Sequence, residues 1–117
     1  MKRKFKNKHS FEKRLEESRR ILKKYPERVP VIVERGNKEI PDIDRNKYLV
    51  PSDLTIAQFV YVIRKRINLR SEKSLYLFVD NTVMPATSQL VTHIYDDYKS
   101  KDGFLYITYC SENVFGN

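Results

Sequence analysis

The side chains that could do covalent or metal chemistry are few: one thiol, Cys110, and two imidazoles, His9 and His93. A catalytic thiolate needs a base beside it and a setting that lowers its pKa, such as a helix N-terminus. Cys110 instead closes a strand-like run, and neither histidine lies in a motif that would bring it to the thiol. One cysteine forms no internal disulfide, and one thiol with two histidines falls short of a zinc set. The expectation is no enzyme, no metal and no cofactor, with Cys110 a small core or tail residue and His93 on the surface. The chemistry that remains is electrostatic. The net charge is +8, and all of it lies in residues 1–24, where eleven cations meet only Glu12, Glu16 and Glu17. Residues 25–117 carry twelve charges of each sign. A basic arm on a balanced remainder suits acidic partners, anionic membrane surfaces or phosphate backbones, or is simply a solvated helix face.

The elements that must position these residues follow from periodicity. Phe11, Leu15, Ser18, Leu22 and Tyr25 recur at helical spacing and leave Lys and Arg on the opposite face. Ser10 can cap this helix, and Pro26 biases Tyr25 out of helical geometry, so the helix spans 11–24. The preceding KRKFKNK has one hydrophobe, Phe5, and reads as a short helical turn or a mobile arm. RVPVIVE, residues 28–34, is rich in β-branched residues and reads as a strand, with Pro30 pointing to an edge or irregular position. Past the polar stretch GNKEIPDIDRN comes a second strand, KYLV at 47–50, closed by Pro51, so the two form a hairpin with a long loop. Thr55 and Gln58 make a capping box, with Leu54 and Phe59 as the flanking staple. The helix they start has a buried stripe of Ile56, Phe59, Val60, Ile63 and Ile67, and its Arg64, Lys65 and Arg66 complement the helix dipole. LYLFV, residues 75–79, is a continuous apolar run and reads as a central strand. Leu90, Val91, Ile94, Tyr95 and Tyr98 form another helical stripe, capped from Thr87 or Ser88. FLYITY, 104–109, is the last strand, and CSENVFGN has no periodicity and reads as an exposed tail.

A chain of 117 residues, 40% hydrophobic, fits one compact domain. No apolar run approaches the roughly 18 residues of a transmembrane helix, and the N-terminus is charged where a secretory signal is apolar. The expectation is a soluble, intracellular chain. The element order gives an α+β fold, a β-grasp or ubiquitin-like roll with a mixed four-stranded sheet and an N-terminal helical extension. The expected division is a basic extension at 1–26, the β-grasp at 27–110 and a tail at 111–117.

The segments FEKR (Phe11 to Arg14), RVPVIVE, KYLVPSDLT, QFVYVIRKRI, LFV and DGFLYITY, with a terminal Phe-Gly-x, resemble the autophagy-related protein eight family of ubiquitin-like modifiers. The animal members of that family include the GABA type A receptor-associated protein. The resemblance runs from Phe11 to Gly116. It implies a cycle in which a cysteine protease cuts between Gly116 and Asn117, with Phe115 as the anchor beside the cut. Activating and conjugating enzymes then carry the Gly116 carboxylate as thioesters, and phosphatidylethanolamine receives it as an amide. Gly116 lacks a Cβ, which suits a tail threading narrow enzyme channels. The chain departs from the family pattern in a shorter loop at Gly36 to Ile40, a longer turn near Val83 to Ala86 and a more basic N-terminus.

The resemblance also implies that receptors and adaptors carrying aromatic-x-x-aliphatic peptides add a strand to the sheet edge. On the matching positions, Glu17, Ile21, Pro30, Ile32, Lys47, Leu49 and Phe104 surround the aromatic pocket. Tyr48, Val50, Pro51, Leu54, Phe59 and Val62 line the aliphatic one. Lys47 and Arg66 face the acidic residues that flank such peptides, each worth about 0.2 to 1 kcal/mol when exposed. Ile21 lies off the Leu15 and Leu22 stripe, so it needs another apolar contact or sits at the core's periphery. The implied locations are the cytoplasm for the free form and autophagosomal, vesicle or vacuole membranes for the lipidated one. A second reading stays open: a basic interaction module in which residues 1–24 bind tubulin, anionic membrane or, least favoured, nucleic acid.

Overall fold

Caps and register decide where each element of this computed structural model begins, and the structure describes residues 4–80 and 82–111. The order is α1 (Lys4–Lys8), α2 (Phe11–Lys24), β1 (Arg28–Arg35), β2 (Lys47–Pro51), α3 (Ile56–Ile67), β3 (Tyr76–Val79), α4 (Val91–Tyr98) and β4 (Leu105–Cys110). Ser10 accepts from the Lys13 N–H at the start of α2, and Thr55 and Gln58 close the expected capping box on α3. Asn68, left-handed at φ 55°, ends α3. The start of α4 differs from expectation. Leu90 occupies the cap position and makes no side-chain cap bond, so neither Thr87 nor Ser88 caps the helix. The two helix starts satisfy each other through backbone groups instead. Val91 N–H donates to the Leu54 carbonyl at 2.8 Å, while Ile56 and Ala57 N–H donate to the Gln89 and Thr87 carbonyls at 2.9 and 3.0 Å.

The sheet order is β2-β1-β4-β3, with β1–β2 and β3–β4 antiparallel and β1–β4 parallel. This is the mixed four-stranded sheet of a β-grasp. Two of the strand expectations need correction. β3 lies at an edge rather than in the centre. Its apolar run reflects burial of both faces, with Leu77, Phe78 and Val79 all nearly inaccessible, and face burial says nothing about how many edges are paired. β1, the strand with Pro30, is central. Pro30 pairs with Leu49 at a site that asks no N–H of it, and the pairing with β4 begins only at Val31.

The sheet buries both faces. Val29, Val31, Val33, Val50, Leu77, Val79, Leu105, Ile107 and Tyr109 pack against Phe59, Ile63 and Ile67 of α3 and Val91, Ile94 and Tyr95 of α4. The opposite face carries a smaller cluster of Ile21, Ile32, Phe104 and Tyr106, with Phe5 and Leu49 against it. The inward face of α2 also departs from the expected stripe. Phe11 and Tyr25 are exposed, and the buried residues are Ser18 and Ile21. A polar anchor sets this rotation: Asp102, wholly buried, takes Arg14 Nη1 at 2.6 Å, and Ser18 Oγ donates to the Asp102 carbonyl at 2.5 Å.

Candidate functional site

The edge strand β2 offers a row of backbone groups whose direction follows from register. Val33 N–H donates to the Asn46 carbonyl and Ser52 N–H to the Glu27 carbonyl. Antiparallel ladders alternate, so Tyr48 and Val50 turn their backbone groups toward β1 while Lys47 and Leu49 turn theirs outward. A strand added here would meet the N–H and C=O of both residues. One of these groups is already engaged: Arg28 Nη1 donates to the Leu49 carbonyl at 3.0 Å.

Alternation also sorts the side chains of β2. Lys47 and Leu49 lie on the α2 side, opposite Ile32 and Pro30 of β1. There Ile21, Ile32 and Phe104 are buried, and Glu17 of α2 is ion-paired to Lys47, which ties helix to strand across the mouth of this side. Tyr48 and Val50 lie on the α3 side. Val50 and Phe59 are core residues, Tyr48 stands edge-on to Phe59 at 6.0 Å, and Leu54 is partly buried against the same cluster. Val62 is exposed on α3, and Pro51 ends the strand half-buried. Arg66 pairs with Asp44 at 2.9 Å, both well exposed. Burial raises the pKa of Tyr48. Its hydroxyl is buried and has no hydrogen-bond partner among the described residues.

Phe115, Gly116 and Asn117 fall outside the described residues. Ser111, the last described residue, is held by Asn37, which donates to Ser111 Oγ at 2.6 Å and accepts from Ser111 N–H at 3.0 Å. Beside it Gly36 packs so closely that an added Cβ would run into Cys110 Sγ and Thr108. Cys110 is buried and His93 exposed.

Several residues that shape the edge escape sequence reasoning. Asp102 Oδ2 accepts from Arg14 at 2.6 Å and from Tyr106 Oη at 2.5 Å, while Oδ1 accepts from Phe104 N–H at 3.0 Å. This clamp holds α2, and so Glu17 and Ile21, over the sheet. Burial, followed by the bond to Asp102, pushes the Tyr106 hydroxyl far above the usual tyrosine range. The one available signal was Arg14 and Ser18 at i and i+4 on α2, since their partner lies more than eighty residues away. Arg28 on the Leu49 carbonyl and Asp44 against Arg66 had no signal in spacing at all.

With this geometry in place, relatives can be compared. The family described as autophagy protein Atg8, ubiquitin like, matches residues 13–116. This chain belongs to that family. Autophagy-related protein 8 of Mycosarcoma maydis is 59% identical over 113 residues, covering 96% of this chain and 95% of that protein. Autophagy-related protein 8e of Arabidopsis thaliana is 60% identical over 113 residues, with 96% and 92% covered. The crystal structure of Trypanosoma brucei ATG8 superposes with a TM-score of 0.90 at 43% identity, covering 99% of this chain and all of that one. Plasmodium falciparum Atg8, solved in complex with a Plasmodium falciparum Atg3 peptide, gives a TM-score of 0.87 at 36% identity over 97% of this chain and 98% of that one. The Atg8-family chain described here is accordingly a ubiquitin-like modifier of autophagy with the β-grasp fold of those structures.

Proposed function

We propose that this Atg8-family protein is cut by a cysteine protease after Gly116 and passed through activating and conjugating enzymes to phosphatidylethanolamine. It is the substrate of that chemistry and catalyses none of it. Once lipidated, it recruits receptors and adaptors with aromatic-x-x-aliphatic peptides to autophagosomal and related vesicle or vacuole membranes, and its unconjugated form is cytoplasmic. In this reading residues 1–26 are a basic helical extension, 27–110 the β-grasp and 111–117 the processed tail.

The observation that carries the peptide half is the open edge of β2. Lys47 and Leu49 present backbone groups outward, and the side chains on either side of them lead to two separate apolar clusters. An extended peptide pairing there has alternate side chains pointing to opposite faces, which is what an aromatic and an aliphatic anchor three residues apart require. Lys47 and Arg66, each now paired with an acid of this chain, can exchange those partners for acidic residues flanking the peptide. A peptide of a conjugating enzyme is a further candidate for this edge, and the Plasmodium falciparum relative was solved in complex with an Atg3 peptide.

The conjugation half is tested by weighing the protein after coexpression with conjugation enzymes. Loss of Asn117 followed by gain of a phosphatidylethanolamine mass is expected, and unchanged lipidation of a Gly116→Ala variant sinks the reading. A second reading rests on the charge excess of residues 1–24, which suits an acidic protein such as tubulin, an anionic membrane or nucleic acid. Salt separates the two: binding through that arm weakens steeply with ionic strength, and apolar pocket binding changes little.

A further inference from the structure

The short helix α1 has no task in peptide binding or conjugation as read above, yet it packs behind the α2 side of the sheet, against Phe104 and Tyr106. Its sequence is KFKNK, and Phe5 is its one apolar side chain. The Phe5 ring meets Phe104 edge-on at 5.3 Å and lies 6.4 Å from Tyr106. The helix is also anchored by its backbone. Phe5 N–H donates to Glu34 Oε2 at 3.1 Å, and Glu34 is only 8% exposed. Lys6 adds a cation 4.5 Å above the Tyr106 ring. Phe104 ends up with no exposed surface, held in one cluster with Ile21, Ile32 and Tyr106, against which Phe5 and Leu49 both pack.

We propose that Phe5 is a positioning residue of the aromatic pocket. Phe104 is covered in the free protein, so a peptide's aromatic side chain reaches it only by parting the Ile21, Ile32 and Leu49 side of the cluster. By bracing Phe104 from behind, α1 fixes the wall exposed in that way, and so sets the preference for an aromatic over an aliphatic residue at that position. The proposal rests on the peptide-edge reading above. Close-packed interiors relax into a void when a neighbour is removed. With Phe5 gone, Phe104 can turn into the space left behind it, and a ring in the pocket loses its firm partner. A slim aliphatic side chain, reaching less far toward Phe104, loses little. The other anchor lies on the opposite face of the sheet, where Tyr48 and Val50 point, and it should not respond.

The test is titration of full-length wild type, Phe5→Ala and Phe5→Tyr with two acid-flanked peptides, one Trp-x-x-Leu and one Leu-x-x-Leu, read by NMR shifts so that weak binding is still measured. None of these substitutions changes charge, so the basic arm is electrostatically constant. An edge-on aromatic contact of this kind corresponds to about a threefold to tenfold change in Kd. Phe5→Ala is expected to weaken the Trp peptide by that factor and leave the Leu peptide within about twofold, and Phe5→Tyr to restore the difference. Equal losses on both peptides, or tighter Trp binding by Phe5→Ala, overturn the bracing role while leaving the peptide edge standing. Failure of wild type to bind either peptide overturns the peptide-edge reading and this proposal with it.

Discussion

Replacing Asp102 with Ala probes how α2 is held to the sheet. The carboxylate has no exposed surface and accepts from Arg14, Tyr106 and the Phe104 N–H, while the Arg14 side chain keeps 12% of its surface. Removing one partner of a buried ion pair costs about 3 to 5 kcal/mol, because the other charge stays behind uncompensated. Here Arg14 retains a small window to water, which places the loss at the low end, about 3 kcal/mol. Arg14→Ala should cost less, about 2 kcal/mol, since Asp102 keeps its bonds to Tyr106 and Phe104. The double variant should lose clearly less than the sum, with a coupling of at least about 1 kcal/mol. Urea unfolding followed by circular dichroism is the assay. With a slope of about 1.5 kcal/mol per M, Asp102→Ala moves the midpoint down by about 2 M. A shift of under about 0.3 M, or additive single losses, would refute the clamp and show that the two side chains are effectively solvated.

Other outcomes follow from single contacts. Tyr48→Phe removes a buried hydroxyl that has no partner among the described residues, so stability should hold or rise by up to about 1 kcal/mol, and a lowered Tm would contradict that reading. Burial raises the hydroxyl pKa of Tyr48, Tyr95, Tyr106 and Tyr109 above the ordinary value of 10. Because the folded values lie above the unfolded ones, this stabilisation is complete below pH 10 and disappears as pH climbs through the folded values. Ultraviolet titration of the native protein should therefore leave a group of the eight tyrosines unionised at pH 11, and one uniform transition near pH 10 would refute it. Gly36→Ala should cost about 1 to 3 kcal/mol, because the new methyl meets Cys110 Sγ and the Thr108 methyl, and pairing it with Cys110→Ala should recover part of the loss in Tm.

Period and punctuation made most of the architecture readable from the sequence. The capping box at Thr55 and Gln58, the stop at Pro26 and the strand runs were legible because each depends on neighbours within a few residues. The placement of β3 was not. An apolar run such as Leu75 to Val79 reports that both faces are covered, and the sheet order comes from the parallel pairing of β1 with β4, which no local pattern encodes. The face of α2 was misread for a related reason. Hydrophobic spacing favoured Phe11 and Tyr25, whereas the helix turns Arg14 and Ser18 inward to reach Asp102 in a distant turn. The rotation that follows brings Glu17 and Ile21 over β2, so the clamp and the candidate site share one cause. Gly116 and its neighbours were legible only through resemblance, because a glycine in an aperiodic tail has no physical signature of its own.

The sheet has two edges, and the structure treats them differently. At β3 the chain turns back on itself: Val79 N–H donates to the Val83 carbonyl at 2.7 Å, and Val83 N–H returns a bond to Val79 at 3.0 Å. The end of that edge is closed by its own backbone, in the way natural sheets blunt a strand that must not pair further. At β2 the cover is a side chain. Arg28 occupies one carbonyl, that of Leu49, and its guanidinium is solvent-exposed. A backbone cover is held by the covalent chain, whereas an exposed arginine can swing away at a cost of about one hydrogen bond, 0.5 to 1.5 kcal/mol. An incoming strand offers a donor of its own to the same carbonyl, so that cost is recovered on binding. Under the proposed function, this asymmetry would direct strand addition to β2, the edge whose neighbours on both faces are apolar clusters and where Lys47 and Arg66 stand ion-paired.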